Sequence, residues 1–259
     1  MPLDERGKIA AAQIAFYAPI AGLALYLVFR YALRRDAGWL FLSLFSLTRI
    51  AGGAVLLAAQ LTEADPNLFV AAYILDPAGL ALLLLSTLGF LGMAGQHTYS
   101  EIPRVTVIFR TFGLLTLVGL GLTIAGGILG SPVSPNTGTT GWILRRAGAC
   151  VYAVVYLLLI LAFFGTFSYR WHLRSYRRNL LWGIGVALPF LGVRIAYGIM
   201  AAWSSPSIFG DPLSSDPVLS KMNPVVGDWI FFLVLGKIME FLTAVMFMIA
   251  STIMAQRRH

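Results

Sequence analysis

Residues Ala147–Phe167 read AGACVYAVVYLLLILAFFGTF, a stretch without a single Asp, Glu, Lys or Arg. A helix needs about 20 mostly apolar residues to cross the hydrocarbon core of a bilayer. A run of this length is far more specific than any short motif, and it predicts a membrane span. Six more stretches meet the same standard: Ile9–Phe29, Trp39–Leu61, Leu68–Gly95, Val105–Leu129, Leu180–Trp203 and Trp229–Met254. The first starts near the N-terminus but has no small-residue cleavage pattern, so it reads as a retained span and not as a signal peptide. The predicted fold is all-α: a seven-transmembrane helix bundle forming one membrane domain over residues 1–259.

Composition agrees. The chain is 58% hydrophobic and 12% charged, whereas soluble domains carry about 25% charged residues. A soluble fold of this size could not cover its surface with so few polar groups. The single cysteine, Cys150, excludes an intrachain disulfide and any multi-cysteine metal site, and its apolar neighbours mark it as a small buried hydrophobe.

Orientation follows from the basic residues. Arg30, Arg34, Arg35, Arg104, Arg110, Arg170, Arg174, Arg177, Arg178, Arg257 and Arg258 gather on one side. Arg6, Lys8, Arg145, Arg146 and Lys221 lie on the other. This positive-inside asymmetry predicts a cytoplasmic C-terminus and an external or lumenal N-terminus. Most loop carboxylates (Asp4, Glu5, Glu63, Asp65, Asp211, Asp216 and Asp228) fall outside as well. The six tryptophans, residues 39, 142, 171, 182, 203 and 229, all fall at or just beyond span ends, where an amphipathic indole sits best.

Segment Tyr169–Asn179, YRWHLRSYRRN, is basic with interleaved aromatics. Pinned between two spans, it suits anionic membrane lipid and not nucleic acid, at about 1 kcal/mol per basic residue near the surface. The one long loop, Ser204–Gly227, holds SSPSIFGDPLSSDP and ends in Asn223-Pro224, consistent with a connector or a lid. Nothing in the sequence sets the oligomeric state.

The second span contains Arg49-Ile50-Ala51-Gly52-Gly53 and the sixth contains Arg194-Ile195-Ala196-Tyr197-Gly198. Both read R-I-A-x-G in the same direction, each after a basic loop. The pattern admits a 3+1+3 parallel repeat, spans 1–3 and 5–7 joined by span 4, with a site at the repeat interface.

Five ionisable residues lie inside spans: Arg49, Asp76, Arg194, Lys237 and Glu240. Each costs roughly 2.5–3.5 kcal/mol at a helix centre, so each should face the bundle interior and find a partner. At about 1.5 Å per residue they lie about 18, 12, 14, 12 and 17 Å from the outer ends of their spans. One polar cavity in the outer half of the bundle could contain all five. Lys237 and Glu240 are spaced to pair along one helix, leaving Arg49 and Arg194 to share Asp76. Three cations against two carboxylates leave a positive surplus that invites an anionic or strongly polar ligand group. Asp76-Pro77 also has the signature of a helix start, an N-cap followed by proline, so the third helix is expected to begin or kink there. Pro189 is expected to kink the sixth, and Asp228 to cap the seventh. Gly119, Gly121, Gly126 and Gly127 in span 4, with Gly52 and Gly53 in span 2, permit close helix contact.

No H-E-x-x-H, Walker A or G-x-S-x-G pattern occurs, and His97, His172 and His259 are scattered. No cofactor or metal is therefore expected. An enzyme would have to use Asp76 or Glu240 as acid or base. Lys237 in the seventh span resembles a retinal Schiff-base lysine, yet Leu233 and Phe232 stand where the carboxylate one turn earlier belongs. The size is similar to membrane-embedded terpene cyclases of fungi, whose paired carboxylates lie on helices 2 and 7; here the second span offers Arg49. A receptor reading fits the topology, but Gln96-His97-Thr98-Tyr99 comes after span 3 in place of an Asp-Arg-Tyr-like switch.

Met222–Ala250, with Asn223-Pro224, Gly227 and Met239-Glu240, together with Pro189 and Arg194-Ile195-Ala196-Tyr197, resembles an uncharacterised fungal seven-span membrane protein family over nearly the whole chain. The resemblance implies a seven-helix fold in a fungal membrane and supplies no activity. More distantly, the chain is similar to the fungal lipid-translocating exporters. Its helix plan is similar to that of sugar facilitators, but their Pro-Gln signature is missing. The expected function is binding or transport of a small polar-headed or lipid-like molecule at Arg49, Asp76, Arg194, Lys237 and Glu240. A cyclase or isomerase and a receptor-like sensor are the alternatives.

Overall fold

Each apolar run becomes one long helix. A computed structural model of the chain describes residues 4–31, 37–61, 66–95, 103–131, 138–168, 170–173, 175–205 and 216–256. The helices are α1 (Glu5–Tyr31), α2 (Ala37–Leu61), α3 (Pro66–Ala94), α4 (Pro103–Leu129), α5 (Gly138–Ser168) and α6 (Ser175–Ser204). A short helix α7 (Pro217–Lys221) precedes the seventh span. That span is built from α8 (Trp229–Phe231), a π-helical stretch (Phe232–Ile238) and α9 (Met239–Gln256). Among the described residues, seven helices are long and apolar enough to cross a membrane. The protein is thus a multi-pass membrane protein with an all-α seven-helix bundle.

Arg34, Arg35, Glu63, Asp65, Arg174, Asp211, Arg257, Arg258 and His259 lie outside the described residues, as do residues 96–99 and 206–215.

The helices run in chain order around the bundle. Each of α1 to α5 packs on the next, α6 packs on α9, and α9 closes on α1. Helices α3 and α6 meet across the middle. The arcs α1–α2–α3 and α5–α6–α9 therefore each place their R-I-A-x-G helix centrally, with α4 between the arcs. Phe45, Leu84, Phe90, Leu180 and Phe247 fill the interior, and the rings of Phe90 and Phe247 lie 5.4 Å apart. Phe16, Leu114, Leu157, Leu161 and Phe164 stay exposed on the outside. Apolar side chains in both directions are what a helix between core and lipid requires.

Helix ends differ from the sequence expectation in an informative way. The apolar run marks only the part that meets hydrocarbon, and the backbone ladder continues beyond it. Helix α5 starts at Gly138, well ahead of Ala147, which draws Trp142, Arg145 and Arg146 from the loop into the helix. The tryptophans do not form a uniform belt either. Trp171, Trp182 and Trp229 are exposed, but Trp39 is wholly buried in the bundle. The Arg146 guanidinium stacks on two of the others, 3.7 Å from the Trp142 ring centroid and 4.9 Å from that of Trp203. Cys150 is exposed, on the outer face of α5 and not buried. Helix α3 continues unbroken through Asp76-Pro77, and α6 through Pro189. Asp228 occupies the N-cap position of α8 without a side-chain capping bond.

Helices α4 and α5 approach through glycine. A Cβ on Gly126 would lie 2.6 Å from the Arg145 backbone nitrogen. One on Gly119 would lie 2.9 Å from the Tyr152 ring. Gly127 meets Ile74 of α3, and Gly53 meets Ile14 and Ala10 of α1. Gly52 is in ordinary contact with Leu75, and Gly121 faces open space. Gly126→Leu should push α4 from α5 and lower stability by about 1–3 kcal/mol, the usual overpacking penalty. Gly121→Leu should leave the unfolding midpoint in detergent unchanged.

Candidate functional site

The five charges within the spans converge on one cluster. Arg49 reaches it from α2, Asp76 from α3, Arg194 from α6, Lys237 from the π-helical stretch and Glu240 from α9. Arg49 Nη1 donates to Asp76 Oδ1 at 2.9 Å, and Nε donates to Glu240 Oε1 at 3.0 Å. Arg49 Nη2 donates both to Glu240 Oε1 and, at 3.0 Å, to the Asp76 backbone carbonyl. Arg194 makes the matching pair of contacts: Nη2 to Asp76 Oδ2 at 2.7 Å and Nε to Glu240 Oε2 at 3.4 Å. Lys237 Nζ donates to Asp76 Oδ1 at 2.6 Å. The two R-I-A-x-G arginines thus bridge the same two carboxylates.

Lys237 pairs with Asp76, contrary to the local Lys237–Glu240 pairing the spacing suggests. The physical reason lies in the backbone between them. A π-helical turn takes an extra residue and changes the face each side chain presents. Lys237 sits on the last turn of that stretch, while Glu240 belongs to the α-helix after it. Asp76 is likewise no N-cap, because its helix started at Pro66 and its carboxylate is occupied by the three cations.

Small and aromatic residues hold the cluster. Gly79 lies under the Arg49 guanidinium, where a Cβ would be 2.6 Å from Cζ. Gln13 of α1 donates to the Arg49 carbonyl at 2.6 Å. The Phe45, Tyr197 and Phe232 rings stand 5.5, 5.8 and 5.0 Å from the Arg49, Arg194 and Lys237 cationic groups, within cation–π range. Burial is uneven: the Arg49 side chain is 2% exposed and Glu240 0%, while Lys237 keeps 12% and Asp76 22%.

One cavity holding all five charges is not what forms. The cluster is packed, and two cavities flank it. The larger, about 120 Å³, is lined by Asp76, Arg194, Arg145, Tyr73, Tyr197 and Asn223 among others. The smaller, about 30 Å³, is lined by Arg6, Gln13, Arg49, Asp76 and Lys237 among others. Asp76 lines both and Glu240 lines neither. Chemically, the cluster can hold an anionic or polar group beside its cations. Each of its four carboxylate oxygens already accepts from a cation.

Asn223 and Pro224, ahead of the seventh span, line the larger cavity. Asn223 Oδ1 accepts from the Val225 and Val226 amides at 2.7 and 3.0 Å, the turn that an Asn-Pro pair favours. Arg6 Nη2 donates to the Gly227 carbonyl at 2.7 Å, and the Tyr73 hydroxyl to the Pro224 carbonyl at 3.4 Å. Gly227 is packed against Asn223, where a Cβ would be 2.5 Å from the Asn223 carbonyl oxygen.

Sequence reasoning did not single out Arg145, Tyr73, Tyr197 or Asn223 as site residues. For Arg145 a signal was present: Gly141-Trp142-Ile143-Leu144 ahead of it is uncharged, as is the run from Ala147 onward.

Fold and cluster together define a seven-helix membrane protein built round an intramembrane ion network. The chain matches, over residues 3–258, the family model described as Domain of unknown function (DUF7702), and it belongs to that family. No curated protein and no solved structure matches it.

Breaking a buried ion pair by removing one partner typically costs about 3–5 kcal/mol. Asp76→Asn leaves three cations on one carboxylate and should fall in that range. Lys237→Met leaves two cations on two carboxylates and should be near neutral. Unfolding in detergent checks both; equal losses would contradict the shared-carboxylate arrangement.

Proposed function

We propose that this protein binds or transports a small polar-headed or lipid-like molecule at the 120 Å³ cavity beside the ion cluster. One observation carries the reading. Asp76, a carboxylate at membrane depth, is 22% exposed between two cavities and belongs to a cluster with three cations and two carboxylates. An ionisable residue at this depth is by default a functional-site hypothesis. Ile74, Leu80, Ile195 and Ile199 give the cavity apolar walls, suited to the apolar part of such a molecule. The volume suits a compact group, since an engineered cavity of about 150 Å³ takes a benzene ring.

A cyclase or isomerase reading needs a carboxyl able to protonate its substrate. Asp76 Oδ1 accepts from Arg49 and Lys237, and Oδ2 from Arg194; this favours holding a ligand over protonating one. A polar-headed amphiphile would also suit the proposed distant relation to the fungal lipid-translocating exporters, and a fungal membrane is part of that proposal.

Native mass spectrometry of the purified protein tests the reading. A polar-headed species should co-purify with the wild type and be lost from Ala202→Phe, whose ring would fill the cavity. Equal recovery of the same lipids from both would overturn it.

The proposed orientation puts the α1 N-terminus outside. Its support is the basic-residue count, eleven on the side of the C-terminus against five on the other. A cysteine replacing Lys221 should react with a membrane-impermeant maleimide on intact cells. Labelling only after permeabilisation would reverse the assignment.

A further inference from the structure

Arg145 is a cation that the ion cluster leaves out. It sits two turns inside α5 and lines the larger cavity together with Arg194 and Tyr197. Arg49 and Arg194 each hold two carboxylates. Arg145 makes no salt bridge among the described residues; its Nη2 donates to the Ser205 backbone carbonyl, and its buried Nε has no partner there. The Tyr197 hydroxyl, on the same cavity, is also buried and unpartnered among the described residues, and the residue is 2% exposed. Close packing of Gly126 against the Arg145 backbone fixes this arginine beside α4. Its neighbour Arg146 does not line the cavity and stacks on the rings of Trp142 and Trp203, although its Nε also lacks a hydrogen-bond partner among the described residues.

A guanidinium with a buried, unpaired donor beside a cavity favours an anion, and its planar donors match a carboxylate or phosphate. We infer that Arg145 anchors the anionic group of the ligand, a carboxylate or a phosphate, with the Tyr197 hydroxyl donating a second hydrogen bond. The adjoining apolar segment of the ligand lies against Ala149, Ile199 and Ala202, which line the same space. This rests on the cavity being a ligand site, as proposed above, and adds the charge class of what it takes. The cavity, about 120 Å³, is smaller than the roughly 300–1,000 Å³ pockets of drug-sized ligands. It fits a short organic acid or the head of an acidic lipid, and not a whole phospholipid.

The test uses the full chain in neutral maltoside detergent, with thermal unfolding followed by tryptophan fluorescence. The probes are hexanoate, hexanol, phosphatidic acid and phosphatidylcholine. Hexanoate or phosphatidic acid should raise the unfolding midpoint. Arg145→Gln should weaken that anion's binding about tenfold or more, as expected for losing a charge-assisted hydrogen bond. Tyr197→Phe should weaken it less, Arg145→Lys should retain part of it, and Arg146→Gln should leave it unchanged. A response to hexanoate alone identifies a free acid; a response to phosphatidic acid alone identifies a lipid head group. If hexanol stabilises wild type and Arg145→Gln equally and the anions add nothing, the cavity remains a ligand site and the anion assignment fails. If no probe shifts the midpoint, both fail. Should Arg145→Gln not fold, unchanged anion affinity in both Arg145→Lys and Tyr197→Phe would overturn the inference.

Discussion

The double bridge from Arg49 and Arg194 to Asp76 and Glu240 ties α2, α3, α6 and α9 together at one depth. Few other forces can do this in lipid. Acyl chains are as apolar as leucine, so helices gain little by hiding hydrophobic faces from them. Close packing and polar contact remain. Between α4 and α5 the packing runs through Gly119 and Gly126. Across the bundle it is the four charges that fix which helix faces which. Each arginine bonds to both carboxylates, so neither half can rotate without losing a bond in the other.

The seven spans were legible because the hydrocarbon thickness imposes a run length on any sequence that crosses it. That the five charges could meet was legible for the same reason, since helical rise converts residue number into distance. Partner choice was not. Lys237 and Glu240 stand at a spacing that pairs on a regular helix, but Phe232–Ile238 adopt π-helical geometry, which no apolar pattern announces. By sequence Arg145 and Arg146 end a loop, because a charge pair ordinarily does so. Their environments, a cavity in one case and two indole rings in the other, depend on residues far away in the sequence. Asp76-Pro77 carries the local signature of a helix start, and tertiary partners override it. Here the bonds that Asp76 accepts from three other spans decide its role.

The uneven burial of the cluster separates two roles within it. Glu240 is fully enclosed and touches neither cavity, so it acts as a fixed post for both arginines. Asp76 is partly open and lies between the two spaces. The segment from Asn223 to Gly227 adds Asn223 and Pro224 to the lining of the larger and is pinned by Arg6 of α1 and Tyr73 of α3. Access to Asp76 from that end of the bundle therefore concerns residues drawn from both ends of the chain.

Chains emerge into the membrane N-terminus first, and the division of the charges suits that order. Arg49 and Asp76 lie on adjacent helices that pack together. The first three spans can thus neutralise their own charges before the remainder exists. In the last three, Arg194 and Glu240 pair on α6 and α9, while Lys237 of the same half pairs with Asp76 of α3. Each half carries one arginine–carboxylate pair of its own, and Arg49–Glu240, Arg194–Asp76 and Lys237–Asp76 join the halves. Neither arginine has to wait in hydrocarbon for more than one further span to leave the ribosome.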